Sequence, residues 1–180
     1  MFFDTDDLAS LESASLLDEV IVHEIGHELG FSGGIFNLNI PGVFQRNLLA
    51  NPNTTDSRFL GKVAIAMYRS LGGRERTIPV ERVPCGAGTR RSHWDEATFF
   101  NELMTGFING ATSNFANPLS RMTSAAMKDL GYKAVPLGEV YRLPTGPVTA
   151  PCPVPSATAT AVAETRTAST SAPARSSSSR

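Results

Sequence analysis

Residues 23–27 read His-Glu-Ile-Gly-His. On a helix, positions four apart lie about 40° apart around the axis and roughly 6 Å apart along it, so both imidazoles can turn toward one ion. Glu24 stands beside the pair, close enough to reach a water on that ion but displaced from direct ligation. Zinc suits the arrangement, because it takes neutral imidazole nitrogens at about 2.0–2.1 Å and tolerates an open fourth position. Three neutral ligands leave its double charge largely uncompensated, which lowers the pKa of a bound water to about 7. Glu24 would take that proton, direct the oxygen at a carbonyl and deliver the proton to a departing amine. That chemistry would be peptide-bond hydrolysis.

Two imidazoles are only half of a tetrahedral site. The third histidine of the chain, His93 in SHWDE, is the leading candidate to complete it. Glu96 and Glu102 are rivals, since carboxylates also bind zinc, and the Cys85 thiolate is a weaker one. A five-residue pattern with three fixed positions also arises by chance on solvated helices, so the surroundings of the motif matter.

Those surroundings predict a helix over about residues 15–30. Ser15 reads as its N-cap with Asp18 three places on, a capping-box pattern. Leu16, Leu17, Val20, Ile21, Ile25 and Leu29 follow at helical spacing as an apolar face, and Gly30 terminates the helix. The short stretch DLASLES predicts a helical piece ahead of it. A second helix is expected in RFLGKVAIAMYRSLGG, ended by Gly72-Gly73. A third is expected in LSRMTSAAMKDLGY, with Leu119, Met122, Ala126 and Leu130 on one face and Gly131 as the stop. The stretches between, NIPGVFQRNLLANPNTTDS and VERVPCGAGTRRSHW, read as long loops.

Composition divides the chain near Pro144. Residues 145–180 are mostly Ser, Thr, Ala and Pro without an aromatic residue. Such a tail buries too little apolar surface to offset the entropy of ordering and is expected to be disordered, with the composition of an O-glycosylated stalk. Residues 1–144 are expected to form one core. The chain has 180 residues, 41% of them hydrophobic, and a net charge of −1, which offers no basic face for nucleic acid. No apolar run reaches the roughly 18 residues that span a bilayer. The acidic start lacks the basic then apolar order of a secretory signal.

Several features stay open. Asp4, Asp6 and Asp7 read as helix-start acids before they read as a calcium site. Asn53-Thr54-Thr55 is a glycosylation sequon. Cys85 and Cys152 read as two unpaired thiols rather than a disulfide. Tyr132 reads as packing after a helix stop, with oxyanion stabilisation as the alternative.

The pieces HEIGHELGF, SHWDE, NELMTG and LSRMTSAAMKDLGY, in this order, resemble the leishmanolysin family of metzincin peptidases over roughly residues 1–135. The resemblance implies an α+β metzincin-like (zincin) catalytic core in which an insertion delays the third ligand. Gly33 stands where commoner metzincins carry their third histidine. His23, His27 and His93 would bind one Zn2+, Glu24 would be the catalytic base, and Met104 would form a Met-turn floor, with the third-ligand loop and Met-turn over about 85–110. Only about 22 residues precede His23, so the β-sheet that comes before the active-site helix in metzincins is expected to be reduced or missing, leaving the core mainly helical. The implied function is a zinc metalloendopeptidase acting on protein or peptide substrates, extracellular or at the cell surface. The alternative is a catalytically silent zinc-binding or cell-adhesion module.

Overall fold

The computed structural model describes residues 5–52, 54–81, 89–110, 116–146 and 148. The expectations about the tail beyond residue 148, the Asn53 sequon and the Cys85–Cys152 pair lie outside the described residues, as does Asp4.

Helix α1 (Thr5–Ser13) is followed almost at once by α2 (Leu17–Glu28). Between them Ser15 adopts φ 53°, and it ends α1 rather than starting α2. Its N–H donates to Glu12 O at 2.9 Å and the Leu16 N–H to Leu11 O at 2.9 Å, the paired bonds of a Schellman stop. The expected capping box is therefore absent. Leu16 is the N-cap and no side chain caps α2, because the short connection commits Ser15's backbone to closing the preceding helix.

The expected apolar face of α2 is only partly buried: Leu16, Leu17, Val20 and Ile21 are half-buried, while Ile25 and Leu29 are exposed. Its buried residues are His23 and Gly26, whereas Val22, Ile25 and Leu29 are 40%, 44% and 43% exposed. The helix buries His23 most deeply of the motif residues, with Glu24 and His27 half-buried beside it. It closes at Gly30, φ 99°, with the Gly30 N–H on His27 O and the Phe31 N–H on Gly26 O. Gly72 and Gly131 stop the later helices with the same pair of bonds.

Helix α3 (Gly33–Phe36) is a single turn. Two small antiparallel sheets follow where loops were expected. The hairpin β1 (Asn39–Ile40) and β2 (Phe44–Gln45) pairs Asn39 with Gln45 and Ile40 with Phe44. A three-stranded sheet has β4 (Arg58–Phe59) at its centre, between β3 (Leu49–Ala50) and β5 (Ile78–Pro79). Strands of two residues are too short to show alternation, which is why their sequences read as loop. β4 also shortens the second expected helix: α4 runs from Lys62 to Ser70. Helix α5 (Glu96–Phe99) is another single turn, and α6 (Arg121–Asp129) is the third expected helix, capped by Ser120.

The first turn of α4 is capped from α6. Asp129 accepts from the Val63 N–H at 3.1 Å and the Ala64 N–H at 2.8 Å, placing a carboxylate at the positive end of the helix dipole. Met122, Ala126 and Leu130 of the predicted α6 face are buried. Leu119 is partly buried against the core from just before the helix.

At the centre Phe31, Phe36, Phe59, Trp94 and Phe99 are all fully buried. The rings of Phe31, Phe36, Phe59 and Trp94 meet edge-on, with Phe31 4.8 Å and Phe59 5.4 Å from Trp94, and Phe99 meets Trp94 at a tilt of 49°. Burial of each such side chain contributes about 1.5–3 kcal/mol, and edge-to-face geometry adds about 0.5–1.5 kcal/mol per pair. Trp94 follows His93 directly, so the core is anchored one residue from the candidate site.

Candidate metal centre

His23 and His27 sit one turn apart on α2, and the third histidine reaches them from residue 93. The Nε2 atoms form a near-equilateral triangle: His23–His93 3.1 Å, His23–His27 3.0 Å and His27–His93 3.0 Å. His23 and His93 are each 7% exposed.

The other nitrogen of every ring is engaged by a main-chain carbonyl. His23 Nδ1 lies 2.7 Å from Leu103 O, His27 Nδ1 2.8 Å from Phe31 O, and His93 Nδ1 2.8 Å from Thr89 O. A carbonyl oxygen can only accept, so each Nδ1 carries the proton and each Nε2 presents a lone pair. Three lone pairs facing one another at 3.0–3.1 Å cannot hydrogen-bond among themselves. A cation relieves that repulsion. A triangle of this size has a point about 2.0–2.1 Å from all three corners, the zinc–imidazole bond length. The residues therefore fit a zinc ion.

Electrostatics agree. Burial lowers the pKa of His93 to about 3, with its bond to the Thr89 carbonyl opposing and the neighbouring His27 and His23 adding to the fall. Burial lowers that of His23 as well. Neutral imidazole is the form that binds metal.

The third corner is held by backbone pairing. The Glu81 N–H donates to His93 O at 2.9 Å and the Arg91 N–H to Glu81 O at 3.1 Å. Val80 bridges to Trp94, and Trp94 bridges in turn to Thr105, so β5 is continued toward the segment that carries Met104. Met104 is fully buried beneath α2 at Gly26, where an added Cβ would lie 2.7 Å from its Sδ.

Glu24 is half-buried on α2, and its charge acts on the adjacent His23. Among the rival ligands, Glu96 is 2% and Glu102 is 1% exposed, and neither joins the triangle of ligand atoms. Cys85 lies outside the described residues. Tyr132 is 47% exposed and lines a cleft of about 530 Å³ with His27, His93, Ser92 and Ile35. Asp7 is exposed.

Sequence reasoning missed the role of Glu102, whose carboxylate collects four donors. Oε2 accepts from the Met104 N–H at 2.7 Å; Oε1 accepts from the Ser120 N–H at 3.0 Å, from Ser120 Oγ at 2.6 Å and from Thr123 Oγ1. Thr123 Oγ1 in turn accepts from Trp94 Nε1–H at 2.8 Å. The pattern Ser120-x-x-Thr123 ahead of an apolar helical face was the available signal, but nothing in it points back to residue 102.

The family model for leishmanolysin matches residues 2–153. The chain belongs to the leishmanolysin family, which is a family of zinc-dependent metallopeptidases. Over 118 residues it is 32% identical to a leishmanolysin homolog from Crithidia fasciculata, a match covering 65% of this chain and 17% of that protein. No solved structure matches the chain.

Proposed function

We propose that this chain is a zinc-dependent metalloendopeptidase that hydrolyses peptide bonds in proteins. The convergence of three bare Nε2 lone pairs, each fixed by a carbonyl behind it, carries the reading. His23, His27 and His93 would hold one zinc ion, which when bound supplies Lewis acidity to a water and the scissile carbonyl. Glu24 accepts the proton of the attacking water on its carboxylate and returns it to the departing amine nitrogen. The buried faces of the rings and the Met104 thioether keep bulk water off the inner side of the site. The half-exposed cleft beside His27 and His93 admits the polypeptide. Among the described residues no helix is long and apolar enough to cross a membrane, and an extracellular or cell-surface location rests on family membership.

The deciding experiment is zinc content together with cleavage of an unfolded protein. Wild type should carry about one zinc per chain. Glu24→Gln should keep the metal and lose about 10²–10⁴-fold in rate, the usual worth of a general base. His93→Ala should lose the metal; retention of full zinc by that variant would overturn the ligand set.

The bare apolar stripe Val22, Ile25 and Leu29 favours a second reading, a silent zinc-binding or cell-adhesion module whose outer helix face is a contact surface. Full zinc binding with no cleavage by wild type would select it.

A further inference from the structure

The buried carboxylate of Glu102 and the imidazole of His23 lie on opposite ends of one peptide unit. The Met104 N–H donates to Glu102 Oε2 at 2.7 Å. The Leu103 carbonyl, covalently joined to that nitrogen, accepts from His23 Nδ1 at 2.7 Å. The peptide is planar and trans, so its N–H and C=O point in opposite directions and cannot be turned independently. Whatever fixes the N–H fixes the carbonyl that orients the ring.

We infer that Glu102 is a positioning residue for the metal site, acting on His23 through the Leu103–Met104 peptide. This inference rests on the proposed zinc site. Metal-binding histidines commonly donate their second nitrogen to a carboxylate, which fixes the tautomer and raises the basicity of the ligating nitrogen. Here a peptide bond is interposed between carboxylate and ring. Negative charge at the N–H end polarises the unit and strengthens the carbonyl as an acceptor, because linked hydrogen bonds reinforce one another.

The surroundings of Glu102 favour a carboxylate: burial raises its pKa, and hydrogen bonds from Ser120, Thr123 and the Met104 and Ser120 N–H groups oppose that rise. Two of its donors are main-chain N–H groups, which cannot accept. Thr123 Oγ1 takes its own hydrogen bond from Trp94, and Ser120 Oγ takes one from the Thr123 N–H at 3.3 Å. Both hydroxyls keep their protons for Glu102, so all four of its partners can donate to it at once. The same carboxylate reaches the third ligand by a second route, through Thr123 to the indole of Trp94, the residue after His93. The main-chain N–H of Trp94 also donates to Met104 O at 2.9 Å.

The test compares Glu102→Gln, Thr123→Val and Thr123→Ser with wild type. Glutamine keeps the shape but sets an NH2 against donors on one side. In the metal-free protein, nitrogen-15 NMR of the His23 ring should show the Nδ1–H tautomer in wild type and its loss or averaging in Glu102→Gln. Zinc affinity, measured by chelator competition, should fall about 10–100-fold, the usual cost of losing a group that orients a ligand. Thr123→Val keeps the side-chain shape and removes one donor, so a smaller loss is expected, with recovery in Thr123→Ser. Should Glu102→Gln fail to fold, the threonine pair decides: loss in valine with recovery in serine supports the inference, and no change in either overturns it. Unchanged zinc affinity and an unchanged His23 tautomer in folded Glu102→Gln also overturn it. If wild type binds no zinc, the proposed function falls, while the NMR comparison on metal-free protein still decides the role of Glu102.

Discussion

Gly33, at the start of α3, lies against Arg91 in the segment that carries His93. A Cβ on residue 33 would sit 2.7 Å from Arg91 Cβ and 3.1 Å from its carbonyl oxygen, and the Gly33 N–H donates to Ser92 Oγ at 3.4 Å. The position at which the resemblance would put the third histidine of commoner metzincins here packs against the segment that carries His93. Glycine is needed for space.

Gly33→Ala should therefore push residues 91–93 outward. The expected outcome is zinc binding weakened by about tenfold or more, as when groups that orient a ligand are disturbed, with about 1–3 kcal/mol of stability lost to overpacking. Chelator competition and denaturant unfolding measure the two effects. Wild-type affinity in the variant would show that the loop adapts freely.

Gly26→Ala tests the floor of the site. The new methyl would meet Met104 Sδ at 2.7 Å and Cε at 2.9 Å. A loss of about 1 kcal/mol or more is expected, since Met104 is fully buried with little room to bend away. Shortening the neighbour should recover part of it: Gly26→Ala combined with Met104→Ala should cost less than the sum of the two single changes.

Glu96 gives a pH signature. Burial pushes its carboxyl pKa up to about 7, against hydrogen bonds from Thr105 and Phe107 and with help from nearby Glu81 and Asp95. Its Oε2 has no hydrogen-bond partner among the described residues. The folded chain thus holds a proton that the unfolded chain releases near its ordinary value of 4.5. Between those values the native state binds more protons, so this group's contribution to stability falls as pH rises from 4.5 to about 7. Glu96→Gln should be more favourable relative to wild type at pH 8 than at pH 5, by urea unfolding of metal-free protein. An equal difference at both would refute the assignment.

Asp129 supports the far side of the core. Asp129→Ala leaves the Val63 and Ala64 N–H groups without their acceptor and should lower stability by about 0.5–2 kcal/mol, the range for loss of a helix cap. Thermal unfolding measures it, and zinc affinity should be unchanged.

Much of the centre was legible because its signals are local. His23 and His27 announce themselves by spacing, and with three histidines in the chain the third corner had few candidates. The helix-ending glycines 30, 72 and 131 were readable for the same reason. What failed depended on distant partners. The burial of α2 could not be read from its own apolar pattern, because the inward face is chosen by Leu103, Met104 and His93. Ser15 carried the composition of a cap but was already committed to the preceding helix. Glu102 read as a rival to His93 for the third ligand because carboxylates also bind zinc; its donors come from residues 104, 120 and 123, and only the tertiary structure assembles them.

Each imidazole of the centre is steered by an oxygen that every amino acid possesses, contributed at positions 31, 89 and 103. Alanine scanning would leave all three of those oxygens in place and score them as silent. The aim of the rings is written in the path of the chain, and it would be lost through changes that bend that path, such as a proline or an insertion near these carbonyls, sooner than through the loss of any one side chain there.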